Sequence, residues 1–223
     1  MNGPHAAAPQ IRLGAGAPGL GLVLAHGRGA SARDILGLGQ AIAPEGTAMI
    51  APEAAGNSWW PVSFLAPMAQ LQPWLDSALD ALERAVAALQ AEGLAQDRIA
   101  LAGFSQGACL ALEYAARRGG RWHAVIALSG GLVGTADDVG ASDPALYGYA
   151  GKQLDYTSRL DEVPVLMACH DRDPHIPRAR LEDSARVLQG LGASVDLRLH
   201  PGAGHGAGPG DLEAAQALLR PAR

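Results

Sequence analysis

Short apolar runs alternate with stretches of helical period along this chain. Residues 20–25, 48–51, 99–102, 124–128, 163–168 and 195–199 read as strands, the first ending at His26. Between them, residues 71–90 set Leu75, Leu79, Leu82, Val86 and Leu89 on one face of the longest helix, and Gly93 just beyond it is a stop signal. Ser31 can cap a helix running to Ile42. Residues 106–118 and 177–190 form two more, and Asp211 can cap a last one. Strands alternating with helices predict a mainly parallel sheet wrapped on both faces, in a single domain over residues 1–223 without repeats or a linker. Segments 53–68, 130–159 and 201–210 fit no regular element. Each follows a predicted strand, where open parallel sheets bind ligands.

Composition narrows the function. The chain has 223 residues, 48% apolar and 17% charged, with a formal net charge of −5. That is enough to bury a core without disulfides or metals. It also lacks the dense Lys/Arg run of a nucleic-acid binder. No stretch suits a bilayer span, so stable membrane insertion is not expected, and no secretory signal opens the chain. The two cysteines, Cys109 and Cys169, lie in no metal or redox motif. They predict reduced, buried thiols in a cytoplasmic protein.

The strongest chemical signal is Gly103-Phe104-Ser105-Gln106-Gly107. It has the G-x-S-x-G pattern, with a predicted strand before it and a predicted helix after it. Such a turn holds the serine in a strained backbone conformation, and the flanking glycines let strand and helix approach closely. The hydroxyl then stands at the top of the sheet beside the free amides of a helix N-terminus. A serine needs a base, and in α/β-hydrolases, whose nucleophile elbow this turn resembles, the order along the chain is Ser, then Asp or Glu, then His. Of seven histidines, His205 is the one in the loop after the last strand. His26 precedes the serine, His5 is assigned to a loose terminus, and His170 and His175 flank the candidate acid. That acid is Asp173 or its rival Asp171, both following strand 163–168. Asp173 is favoured because Asp173-x-x-Ile176-Pro177 puts proline at the start of the next helix. A tetrahedral oxyanion needs two converging amides. The residue after the serine, Gln106, supplies one candidate. Arg28, in His26-Gly27-Arg28-Gly29 after the first clear strand, supplies the other through its backbone alone.

These pieces together resemble the phospholipase/carboxylesterase family of α/β-hydrolases, which includes acyl-protein thioesterases. The resemblance rests on His26-Gly-Arg-Gly, Gly103-Phe-Ser-Gln-Gly-Ala108, Leu128-Ser-Gly130, Asp173-Pro-x-Ile-Pro177 and Gly204-His205, and so runs from the first strand to the last loop. It implies the α/β-hydrolase fold and hydrolysis of carboxylic or thio esters through an acyl-serine. It also implies no cofactor and no metal, with the amides of Arg28 and Gln106 as oxyanion hole. Eukaryotic lysophospholipase and thioesterase members usually carry Asn-Gly-Gly-Met before a Trp in the loop after the second strand. Here the loop reads Glu53-Ala-Ala-Gly-Asn-Ser-Trp59-Trp60-Pro-Val-Ser-Phe64, closer to a bacterial branch of small carboxylesterases.

Trp59, Trp60 and Phe64 are half of all Trp and Phe residues in the chain. They either wall the substrate pocket or pack the loop onto the core. Segment 130–159, with Tyr147, Tyr149 and Tyr156, is a second wall, a lid or a structural excursion. The expectation is a serine carboxylesterase acting on small or short-to-medium acyl, including aryl, esters as small-molecule substrates. An exposed apolar patch could support a homodimer. The rivals are a lysophospholipase or thioesterase, a dienelactone hydrolase (disfavoured because that class usually has cysteine at the elbow), and a non-catalytic binder of the same fold. The last usually lacks the nucleophile or the base, and neither is missing here.

Overall fold

The computed structural model describes residues 3–14 and 19–220. Seven strands form one sheet, in the order β1 (Gln10–Leu13), β3 (Ala48–Pro52), β2 (Gly21–Ala25), β4 (Ile99–Phe104), β5 (Val125–Leu128), β8 (Pro164–Arg172) and β9 (Ser194–Ala203). The short edge strand β1 runs antiparallel to β3, and the other pairings are parallel. In β2, β3 and β5 every residue is buried. Both faces of these strands are covered by helices, which is why their sequences are continuous apolar runs rather than alternating ones.

The pleat sends successive side chains to opposite cores. On one face Leu22, Leu24, Ala100, Ala102 and Ile126 meet helices α1 (Ala32–Ile42) and α6 (Pro209–Leu219). On the other, Val23, Leu101, Val125, Val165 and Met167 meet α3 (Trp74–Ala91), α4 (Gln106–Arg118) and α5 (Arg178–Gly190). Ser31 caps α1, with its hydroxyl accepting from the Asp34 amide and the Asp34 carboxylate accepting from the Ser31 amide.

Several predicted boundaries move. The helix expected over 71–90 is two, α2 (Met68–Leu71) and α3, separated at Gln72-Pro73. Proline lacks the amide a helix interior needs and drives its predecessor to extended backbone. Gln72 accordingly sits at ψ 146°. Beyond α3, Gly93 takes φ +94° and its amide closes onto the Gln90 carbonyl, so the stop signal acts as read. Asp211 is not the cap residue of α6. Gly208 occupies that position, Pro209 follows it, and Asp211 lies a turn further in, accepting from the Gly208 amide at 2.9 Å. β8 and β9 extend beyond their predicted ends, so Asp171 belongs to a strand rather than a loop.

The irregular segment 130–159 contains a small hairpin of β6 (Asp138–Ser142) and β7 (Ala150–Lys152). Side chains from the helices beneath tie it down. The buried Glu113 carboxylate of α4 accepts from the amides of Val133 and Gly134 and from the Tyr156 hydroxyl. Ser184 of α5 accepts from the Leu132 amide, and Arg180 donates to the Leu132 carbonyl. These side chains answer backbone polar groups of residues 132–134 that the β6–β7 ladder does not reach.

Lys152 in the hairpin is only 8% exposed, and its ammonium has no hydrogen-bond partner among the described residues. Burial outweighs the nearby Asp138 carboxylate and pushes its pKa down to about 8. The folded state therefore carries a buried charge below that pH. The unfolded lysine keeps its proton up to about 10.5. Lys152→Met should raise the urea midpoint at neutral pH, and the gain should shrink as pH rises from about 8 toward 10.5. A pH-independent effect would show that the charge is not its source.

Candidate active site

The turn between β4 and α4 is set by close backbone contact. A Cβ added to Gly107 would lie 2.0 Å from the Ala25 carbonyl oxygen, and one on Gly103 would lie 2.2 Å from the Gly107 oxygen. No other residue fits while the start of α4 presses against the ends of β2 and β4. Ser105 at the apex adopts φ 54°, ψ −119°, a conformation that costs a residue with a side chain energy. Its hydroxyl does not cap the helix.

Instead the Ser105 Oγ lies 2.8 Å from His205 Nε2. His205 Nδ1 lies 2.7 Å from Asp173 Oδ2. The partners come from the loops after β9 and β8, so three strand ends converge on one point. Asp173 is fully buried. Its Oδ1 accepts from the amides of His175 and Ile176, at 2.8 and 3.0 Å, in the turn that Ile176-Pro177 closes before α5. Burial alone would raise this carboxyl. Hydrogen bonds from His205 and from the two amides outweigh it and hold the pKa below the ordinary aspartate value. Asp171 is engaged elsewhere, accepting from the Gly202 amide of β9 at 2.8 Å. The His205 ring is lodged between Phe104 and His175, with centroids at 5.2 and 4.9 Å.

The amides of Arg28 and Gln106 donate to no group among the described residues, and both residues line the cavity that holds Ser105. The Gln106 side chain has a second task. Its Oε1 accepts from the Trp59 amide and its Nε2 donates to the Trp60 carbonyl, each at 2.9 Å. The Arg28 guanidinium continues the row, donating to the carbonyls of Pro61 and Val62. Residues 59–62 are thus fixed to the same two residues whose amides are free.

The cavity is about 650 Å³, within the range of small-ligand sites. Trp60, Phe64, Tyr147, Tyr149 and Ile176 contribute its apolar wall. Trp59 does not line it. Its indole is buried beneath the loop, donates to the His26 carbonyl at 2.9 Å, and lies against the rings of His26 and His5. The aromatic loop therefore divides, with Trp60 and Phe64 facing the cavity and Trp59 packing the loop down. Tyr147 and Tyr149 come from the hairpin, and the Tyr147 hydroxyl donates to the Asp173 carbonyl. Tyr156 is instead part of the Glu113 anchor. His175 and Phe104 also belong to the site, through their rings on either side of His205. In the sequence only their closeness to Ser105 and Asp173 points to them.

His5 does not lie in a loose terminus, contrary to the expectation from its position in the sequence. His5 is fully buried, its Nδ1 accepting from the Ala55 amide and its Nε2 donating to the Trp59 carbonyl. His26 is likewise neutral, with Nε2 accepting from the Ala54 amide and Nδ1 donating to the Gly27 carbonyl. Both cysteines are free and buried. Burial pushes the Cys109 thiol up to about 12. Among the described residues no cluster of three or more His, Cys, Asp or Glu side chains suits a metal ion, and no helix is long and apolar enough to cross a membrane.

Residues 15–137 match the family described as Phospholipase/Carboxylesterase. The chain belongs to this family of ester hydrolases with the α/β-hydrolase fold. A phospholipase/carboxylesterase from Dyadobacter fermentans is 33% identical, with a TM-score of 0.84 over 96% of this chain and 97% of its own. An acyl-protein thioesterase 1 from Gibberella zeae is 33% identical over 128 residues, 57% of this chain. The match spans about half, 49%, of that relative's length. A carboxylesterase from Mesorhizobium loti shares the fold, with a TM-score of 0.72 at 20% identity over 96% of this chain and 94% of its own.

Burial holds the pKa values of both His5 and His26 below 6.5. In the unfolded chain they protonate near that value, so their contribution to stability is full above it and is lost as pH falls toward the folded-state values. The urea midpoint should drop as pH is lowered below about 6.5, and the drop should be shallower in His5→Gln. An unchanged slope would remove His5 as a source of acid sensitivity.

Proposed function

We propose that the protein is a serine carboxylesterase acting on small or short-to-medium acyl and aryl esters. The observation that carries this reading is the hydrogen-bonded chain from Ser105 through His205 to buried Asp173, opening on an apolar cavity of about 650 Å³. Ser105 Oγ attacks the ester carbonyl while His205 Nε2 takes its proton, and Asp173 holds the other ring proton and stabilises the imidazolium. The oxyanion is received by the amides of Arg28 and Gln106, with the positive end of α4 behind them. The proton returns to the departing alcohol. A water activated by His205 then cleaves the acyl-serine. No cofactor or metal takes part in this scheme.

The thioesterase relative favours a second reading, in which the departing group is a thiol. The same residues serve both reactions, so only matched ester and thioester substrates separate them. The size of the cavity supports small substrates over long acyl chains.

A fluorophosphonate probe should label Ser105, mapped by peptide mass spectrometry, and Ser105→Ala should abolish the adduct and lower turnover by several orders of magnitude. Absence of an adduct on folded protein would refute the reading. Asp173→Asn should lower kcat by about 10⁴-fold, because the imidazole loses the acceptor that fixes its tautomer. Asp171→Asn should stay near wild type. Equal losses in the two variants would shift the acid's role away from Asp173.

A further inference from the structure

Chemistry at Ser105 uses only the backbone of Arg28, yet its side chain lies at the same cavity. Arg28 is exposed and is one of the lining residues, and its guanidinium sits on the aromatic loop at Pro61 and Val62, which line the same cavity. Two of its donors go to the carbonyls of Pro61 and Val62. A guanidinium has five donors in a rigid fork, so three have no acceptor among the described residues. No carboxylate of the described residues comes within 4.0 Å of it. The charge is therefore held in place by the loop and left without a counter-ion. It is permanent, since guanidinium groups do not lose their proton in proteins.

The surroundings give this cation its meaning. The wall beside it is apolar, from Trp60, Val62 and Phe64, and offers nothing else to neutralise it. Trp60 adds a buried indole N–H that lacks an acceptor among the described residues. The Asp173 carboxylate is already held by His205 and two amides. The N-terminus of α4 adds positive potential at the same cavity. The chain as a whole is acidic, at −5, so any preference for anions must come from this local cation rather than from the overall field.

We propose that Arg28 selects esters carrying a second, anionic group such as a carboxylate, which its guanidinium meets at the cavity mouth while the Trp60–Phe64 wall takes the hydrocarbon part. The inference deepens the esterase reading of this site and rests on it. Fixing Arg28 to two carbonyls lowers the entropy lost when an anion binds, and a planar fork suits a carboxylate in two-point contact.

The test compares kcat/KM within matched substrate pairs. The para-nitrophenyl monoester of adipic acid against para-nitrophenyl hexanoate puts the anion on the acyl side. Para-acetoxybenzoate against para-acetoxybenzamide puts it on the alcohol side. Wild type should prefer the anionic member of at least one pair by about tenfold, and the preference should fall with added salt. Arg28→Gln should bring the ratio to about one, and Arg28→Lys should keep part of it. The ratio is the readout, so a general loss from a disturbed oxyanion loop cancels, and Arg28→Met serves if Arg28→Gln does not fold. Hydrolysis of neutral esters with no anionic preference, or a preference that survives loss of the charge, overturns the inference and leaves the esterase standing. Failure to turn over any ester, with no adduct at Ser105, overturns both.

Discussion

The approach of α4 to the ends of β2 and β4, closer than any side chain permits, is the constraint on which the rest of the site depends. With hydrogens alone at Gly103 and Gly107, the helix starts directly against the Ala25 and His26 carbonyls. That contact forces Ser105 into its unusual conformation, lifts the hydroxyl clear of the helix and leaves the Gln106 amide unpaired. It also sets the Arg28 loop beside the elbow, because that loop leaves β2 at the point of contact. A single packing event thus produces the nucleophile's exposure and the neighbourhood of two free amides. Strain of this kind persists only where the surrounding sheet over-determines it.

The loop after β3 shows how an irregular segment becomes rigid. Its backbone polar groups cannot join a ladder, so side chains from elsewhere answer them. His5 and His26 take the amides of Ala55 and Ala54, Gln106 brackets Trp59 and Trp60, and Arg28 holds Pro61 and Val62. Trp59 fills the space between the two histidine rings. The cavity wall is therefore continuous, through hydrogen bonds, with the residues at the reaction centre. The segment after β5 follows the same logic on the opposite side. Glu113 and Ser184 fix its base, and the hairpin it carries brings Tyr147 and Tyr149 to the cavity and sets the Tyr147 hydroxyl on the Asp173 carbonyl.

Much of this was legible in the sequence because it is local. Continuous apolar runs specify buried parallel strands, the spacing of Leu75 to Leu89 specifies a helix face, and two glycines around a serine specify a turn that nothing bulkier can make. What sequence reading misplaced involves either a local backbone rule given too little weight or a partner distant along the chain. Pro73 inside a good helical period belongs to the first kind. The edge strand β1, short and only partly apolar, belongs to the second, since it is defined by pairing with β3 alone.

The chain order of Ser105, Asp173 and His205, and the glycines that permit the elbow, are determined by the sequence, because each follows from residue type and its immediate neighbours. Tertiary structure decided what depends on a side chain's direction. It turned Asp171, still in β8, to the Gly202 amide of β9, and carried Asp173, just past the end of β8, to His205 in the loop after β9. It buried both Trp59 and Trp60 but set only Trp60 against the cavity, and it drew His5 from the start of the chain to the Trp59 carbonyl, 54 positions away. It left the Arg28 guanidinium at the cavity mouth without a counter-ion. Spacing along a chain records which backbone a residue belongs to, whereas the partner a polar side chain meets is settled only when distant segments are packed together and every buried donor must find an acceptor.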